Sequence, residues 1–255
     1  MRFSILGAAL AVALLGPSVR SAVIIDTGGF EGYTPGNIIG QQGWVKGAAA
    51  FGTTTRPVTV ANIVANPTGS GQVLEFNNVA AGQTEIQMLF PNLTGTYKFA
   101  RSSFDYYRDG AATANNLDWW PKGSNPWWGI AWDSPAATGG SIVPVFNGVD
   151  GSTGSVPQIP NQWMHIEQLW DLETGDVSAW VNGALVSDKV NQGTGAFNGW
   201  YIRDWHTVLT APGHKAYVDN VVLLAGNDVG AVPEPSTLAL LGAGLLPLLG
   251  LRRRK

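Results

Sequence analysis

The sequence predicts an all-β protein, an antiparallel β-sandwich held between two targeting segments, and three observations lead there. Alternating apolar runs bounded by glycine and asparagine recur along the chain, the pattern of strands with one buried and one solvated face. Gly 33 and Pro 15 are high for a helical protein, and charged residues make up 13% of the chain, about half the usual quarter. Both ends abandon the alternation for continuous apolar stretches beside basic residues.

The N-terminal stretch has the order of a signal peptide. Met1-Arg2 is a positive start, Ile5 to Gly16 is a twelve-residue apolar run, and Val19-Arg20-Ser21-Ala22 offers small residues for cleavage after Ser21 or Ala22. Residues 1–22 are therefore assigned to a segment removed by signal peptidase, with the mature chain starting near Val23.

The body, residues 23–225, is expected to be one domain, since removing both ends leaves about 210 residues, enough for a substantial core. Gln72 to Asn78, Thr84 to Phe90 and Tyr97 to Tyr107 are the first clear strands. Trp127 to Asp133, Ser141 to Phe146, Trp163 to Trp170, Val177 to Asn182, Trp200 to Trp205 and Lys215 to Leu224 follow. In the second of these, alternation puts Ile86, Met88 and Phe90 on the core face and turns Glu85 and Gln87 toward water. Asn182-Gly183 suits a two-residue hairpin whose turn needs positive φ at both positions. Residues 226–231 form a linker.

Beyond the linker, Val232-Pro233-Glu234-Pro235-Ser236 precedes an apolar run from Leu238 to Leu251 and a cluster of Arg252, Arg253, Arg254 and Lys255. The two prolines bias their neighbours to extended geometry, so a helix starts after Pro235 with Ser236 as its N-cap. The run is 14 residues long. At about 1.5 Å per residue that is about 21 Å, short of the roughly 30 Å hydrocarbon core. Four cations after it stay on the cytoplasmic side and leave the body facing outward. A short buried helix with a basic end is the competing reading, but Pro247 within the run and the lack of a polar face oppose it. The order of motif, apolar segment and basic stop over residues 232–255 resembles the PEP-CTERM sorting tail of exported bacterial proteins. That resemblance implies export, transient anchoring in the inner membrane through the C-terminal helix, and processing by an exosortase.

Charge and cysteine content narrow the partners. The formal net charge is −3, and four of the 15 basic side chains lie in the terminal cluster, so the body is more acidic still. Nucleic-acid binding is excluded on this balance. There are no cysteines, so an exported domain of this kind has no disulfide to draw on.

Five of the eleven tryptophans fall between Leu117 and Ser134. Trp119 and Trp120 stand in a loop-like setting between Asp118 and the stretch Pro121 to Pro126, where an exposed indole can stack on a pyranose ring. Trp119, Trp120 and Trp127 are the candidate carbohydrate platform, with Asp118 and Asn125 as polar contacts. Packing of the same rings into core and loops is the alternative. The three histidines have no metal-ligand spacing.

A second resemblance rests on Trp163-Met164-His165-Ile166, Asp171-Leu172-Glu173-Thr174-Gly175, Asn182-Gly183, the opening Phe30-Glu31-Gly32-Tyr33 and the closing Ala216-Tyr217-Val218-Asp219. These resemble the laminin-G and concanavalin A-like jelly roll. The resemblance implies a structural Ca²⁺ held by Glu31 and Asp219, with Asp26 a further candidate ligand; two solvated carboxylates at strand ends are the alternative. The Glu-x-Asp-x-x-Glu pattern of jelly-roll glucanases is absent, as are the alginate-lyase signatures, and no Gly-x-Ser-x-Gly elbow, phosphate loop or dinucleotide fingerprint occurs. The expected protein is a noncatalytic component of the cell envelope or extracellular matrix, associated with extracellular polysaccharide. A structural or adhesive surface protein without sugar affinity is the alternative, and a polysaccharide hydrolase or lyase the third class.

Overall fold

The computed structural model describes residues 21–47, 58–59, 61–78, 83–109, 115–122, 130–133, 141–146, 149–150, 156–157, 161–206 and 214–228. Residues 1–20 and the sorting tail, 232–255, lie outside the described residues, while Ala22, the last residue assigned to the signal peptide, heads the first strand. Among the described residues no helix is long and apolar enough to cross a membrane.

Among the described residues eighteen strands follow one another: β1 (Ala22–Asp26), β2 (Gly36–Asn37), β3 (Trp44–Lys46), β4 (Val58–Thr59), β5 (Asn62–Ala65), β6 (Gln72–Asn78), β7 (Gln83–Leu89), β8 (Phe99–Arg108), β9 (Asn115–Lys122), β10 (Ile130–Asp133), β11 (Ser141–Phe146), β12 (Val149–Asp150), β13 (Val156–Pro157), β14 (Trp163–Asp171), β15 (Asp176–Val181), β16 (Ala184–Asn191), β17 (Gly199–His206) and β18 (His214–Gly226). They make two nine-stranded sheets. The first runs β16-β15-β14-β8-β18-β6-β5-β2, with β1 also paired to β18. The second runs β12-β11-β10-β9-β17-β7-β3, with β13 on β11 and β4 on β7. Neighbours are antiparallel apart from β4 against β7. The predicted all-β antiparallel sandwich of jelly-roll type is the fold found.

Alternation decides what each sheet contributes to the core. In β14 every second residue is buried, so Met164, Ile166, Gln168 and Trp170 face inward. Phe104 of the first sheet stacks on Trp119 of the second with ring centroids 3.7 Å apart. Trp170 meets Trp200 edge-on at 6.5 Å, and Phe197 lies on Trp200 at 5.5 Å. Aromatic rings from both inner faces thus interlock across the sandwich. Burying such large side chains is the main source of stability in a domain without disulfides.

β18 is the longest strand and is shared along its length. Its first half, Ala216 to Val218, pairs with β6, and its second half, Val222 to Ala225, pairs with β1. Between them the ladder to β8 slips, from Asp219 opposite Asp105 to Val222 opposite Ser103. Asn220 sits in this bulge with φ of 50°, a left-handed conformation that asparagine tolerates. The bulge turns Asp219 and Asn220 toward the coil after β1.

Candidate functional site

The outer face of the second sheet carries an unusual set of polar side chains. Arg203 on β17 stands opposite Glu85 on β7 and opposite Asp118 on β9. One step along, Tyr201 stands opposite Gln87 and Trp120. The intervening residues Ile86, Trp200 and Ile202 belong to the core, so Glu85, Gln87, Tyr201 and Arg203 point away from it.

They do not see water, however. Glu85 is 0% exposed, Tyr201 3%, Arg203 6% and Gln87 7%. Alternation predicts the face of Glu85 and Gln87 correctly, but the expectation that this face meets solvent is overturned. Gly47, just after β3, lies directly over it, and a Cβ there would come within 2.7 Å of Glu85 Cβ and 2.8 Å of Tyr201 Cε2. The Gly47 N–H donates to the Glu85 carbonyl at 3.3 Å, and Gln87 Nε2 donates to the Lys46 carbonyl at 3.1 Å, which ties this edge to the sheet.

Glu85 is the exceptional member. Neither carboxylate oxygen makes a hydrogen bond among the described residues. Burial is the largest influence on the carboxyl and raises its pKa, while the Tyr201 hydroxyl, Arg203 and Lys46 pull in the opposite direction without prevailing.

The tryptophan platform read from sequence is redistributed. Trp119 is in a strand, is 0% exposed, and is sandwiched between Phe104 and Trp200, so it is a core residue and is withdrawn as a sugar platform. The loop-like reading failed because residues 115–122 form β9, whose pairing with β17 turns Trp119 inward. Asp118 and Trp120 keep backbone positions beside Arg203 and Tyr201, with side chains outside the described residues. Trp127 and Asn125 lie outside the described residues altogether.

A second cluster gathers at the β18 bulge on the first sheet. Gly29, with φ of 69°, brings Glu31 and Asp219 to one place: a Cβ on it would lie 3.6 Å from Asp219 Oδ1 and 4.0 Å from Glu31 Cγ. Glu31 Oε1 accepts the Gln72 N–H at 3.0 Å, and a Cβ on Gly71 would collide with that oxygen. Burial pushes the Asp219 carboxyl up to about 6, with Asp105 and Glu31 adding to the rise against the Asn220 N–H. Asp26 Oδ1 is engaged by the Gly28 N–H at 2.9 Å. Among the described residues no group of three or more His, Cys, Asp or Glu side chains is arranged to hold a metal ion.

Sequence reading left one ionic chain unseen. Asp105 on β8 accepts the Asn220 amide at 2.7 Å and binds His165 of β14 at 2.6 Å; Glu167 bridges His165 at 3.2 Å and Arg101 at 2.8 Å. The hydrogen bonds to Asp105 first and Glu167 second push the imidazole up to about 9, and His165 first with Arg101 after it holds Glu167 at about 2. The cross-strand register His165–Asp105 is the signal that identifies it, and register is not visible in one strand alone.

Residues 231–255 match the PEP-CTERM protein-sorting motif, so the chain carries the signal for export and exosortase processing. No curated protein matches the chain in sequence. Similar solved structures include a sialidase at 12% identity and TM-score 0.49, covering 80% of this chain and 18% of that one. The carbohydrate recognition domain of Emp47p is similar at 10% identity and TM-score 0.48, covering 76% and 95%. The alginate lyase AlgAT5 of polysaccharide lyase family 7 follows at 10% and 0.47, covering 74% and 92%. The chain therefore spans less than a fifth of the sialidase.

Proposed function

We propose that this protein is a noncatalytic, exported component of the cell envelope or extracellular matrix whose jelly-roll module binds carbohydrate. The observation that carries this reading is the sorting motif at residues 231–255 behind a two-sheet antiparallel sandwich.

Ca²⁺ belongs to the proposal as a structural ion. Glu31 and Asp219 would hold it at the β18 bulge, where the ion would draw the coil after β1 onto the last strand and offset the lack of disulfides.

Affinity electrophoresis of the full-length chain in mild detergent, against gels containing individual polysaccharides, tests the glycan reading. At least one polysaccharide is expected to retard the chain. Equal mobility in every gel would leave the structural or adhesive reading in its place.

A further inference from the structure

The outer face of the first sheet differs from that of the second in being open to solvent. Along β14 the alternation that buries Met164, Ile166, Gln168 and Trp170 turns Trp163, His165 and Glu167 outward, and all three are partly exposed. Register places Trp180 of β15, also partly exposed, beside Glu167, and Asp105 of β8 beside His165. The side chains of His165, Asp105 and Glu167 are 36%, 26% and 16% exposed.

Two indoles stand at the ends of this strip. Four residues separate Trp163 from Glu167, about 13 Å at roughly 3.3 Å per residue, and Trp180 stands opposite Glu167 one strand further over. Trp163 is braced on one side by Tyr107, ring centroids 5.3 Å apart, and its Nε1 donates to Thr68 Oγ1 at 2.7 Å. With that polar atom engaged, the ring presents apolar surface to water. Arg101 lies 6.0 Å from the Trp180 ring centroid, and Leu185, opposite Trp180 on β16, is 45% exposed.

Between the indoles the polar groups hold one another in place. Asn220 and His165 fix Asp105, while His165 and Arg101 fix Glu167. A carboxylate oxygen accepts more than one hydrogen bond, so both carboxylates retain acceptor capacity toward solvent. A ligand arriving here meets side chains that are already ordered, and little rotamer freedom is lost on binding. Exposed aromatic rings separated by fixed acceptors match a chain of pyranose rings, in which apolar ring faces recur along a polyhydroxylated backbone.

We infer that the outer face of the first sheet is a binding surface for an extended polysaccharide, with Trp163 and Trp180 as stacking platforms for two sugar rings of one chain and Asp105 and Glu167 as acceptors for the hydroxyls between them. This rests on the reading that the module binds carbohydrate, and adds the face, the residues and the need for a chain long enough to reach both indoles.

The test uses the full-length chain in mild detergent against soluble β-glucan, xylan, mannan and alginate, and then against a disaccharide and a hexasaccharide prepared from whichever polysaccharide is retained. Trp163→Ala and Trp180→Ala should each weaken retention about tenfold, and the hexasaccharide should bind about tenfold more tightly than the disaccharide. A melting curve of each variant reports folding, and Trp180→Ala supplies the result if Trp163→Ala, which removes a ring packed on Tyr107, folds poorly. Retention unchanged by both substitutions overturns the assignment to this face and leaves the glycan reading standing; if the same variants convert a dimer of the chain to a monomer, the face is a contact between copies instead. Equal affinity for the short and long oligosaccharides overturns the two-platform arrangement. Retention of no polysaccharide by the wild type overturns the glycan reading itself.

Discussion

His165 Nδ1 lies 2.6 Å from Asp105 Oδ1, joining β14 to β8 on the outer face of the first sheet through a charged hydrogen bond. Because the folded-state pKa of His165 is raised to about 9 from 6.5, its contribution is fully present below pH 6.5 and is lost as pH rises toward 9. With the imidazole 36% exposed, screening leaves about 1–2 kcal/mol. Melting temperatures of the wild type should fall across that window, while His165→Gln should be flat there. Parallel profiles for the two proteins would show the ion pair to be energetically silent.

Glu85 follows the same sign for a different reason, since burial rather than an ion pair raises its pKa. Its folded-state pKa is raised, so the native state binds its proton more tightly and stability falls as pH rises through and above the ordinary carboxylate range. Glu85→Gln should therefore gain stability relative to the wild type between pH 4 and pH 7 in urea titrations. A constant difference at both pH values would mean that Glu85 is solvated in solution.

Trp119 links the two sheets through Phe104 and Trp200, so Trp119→Ala should cost about 3–5 kcal/mol, read as a lower urea midpoint. An unchanged midpoint would return Trp119 to the surface.

Chelation tests the bulge. EDTA should lower the melting temperature and Ca²⁺ should restore it, and Glu31→Gln or Asp219→Asn should abolish the difference. A melting curve indifferent to EDTA in the wild type would remove calcium from the description.

Processing has its own readout in intact mass. The exported protein should lack residues 238–255, and a mature mass that retains them would contradict exosortase cleavage.

Much of the fold was legible because alternation is local. Gln72–Asn78 and Ser141–Phe146 were read to the residue from their own pattern. β9 was missed because Asn-Asn, Trp-Trp and Pro-Lys blur the period of two, and β16 because Ser187-Asp188-Lys189 reads as a solvated turn. The site was less legible for a different reason. Alternation tells which residues share a face, as with Glu85 and Gln87, but not that Gly47 crosses over that face or that Arg203 comes to lie beside it from over a hundred residues away. Such contacts belong to register and topology, which a single strand does not encode. The tail, by contrast, is a linear signal meant to be read before folding, and its motif was complete in sequence.

Val23 is the register partner of Leu224, so the strand that emerges first from the export channel can be completed only by the strand that emerges last. About 200 residues must cross before that ladder can close, and long-range pairing of this kind is slow to form. The first sheet therefore stays open along the second half of β18 until nearly the whole domain has been threaded, and the pairing that seals it joins the two ends of the domain.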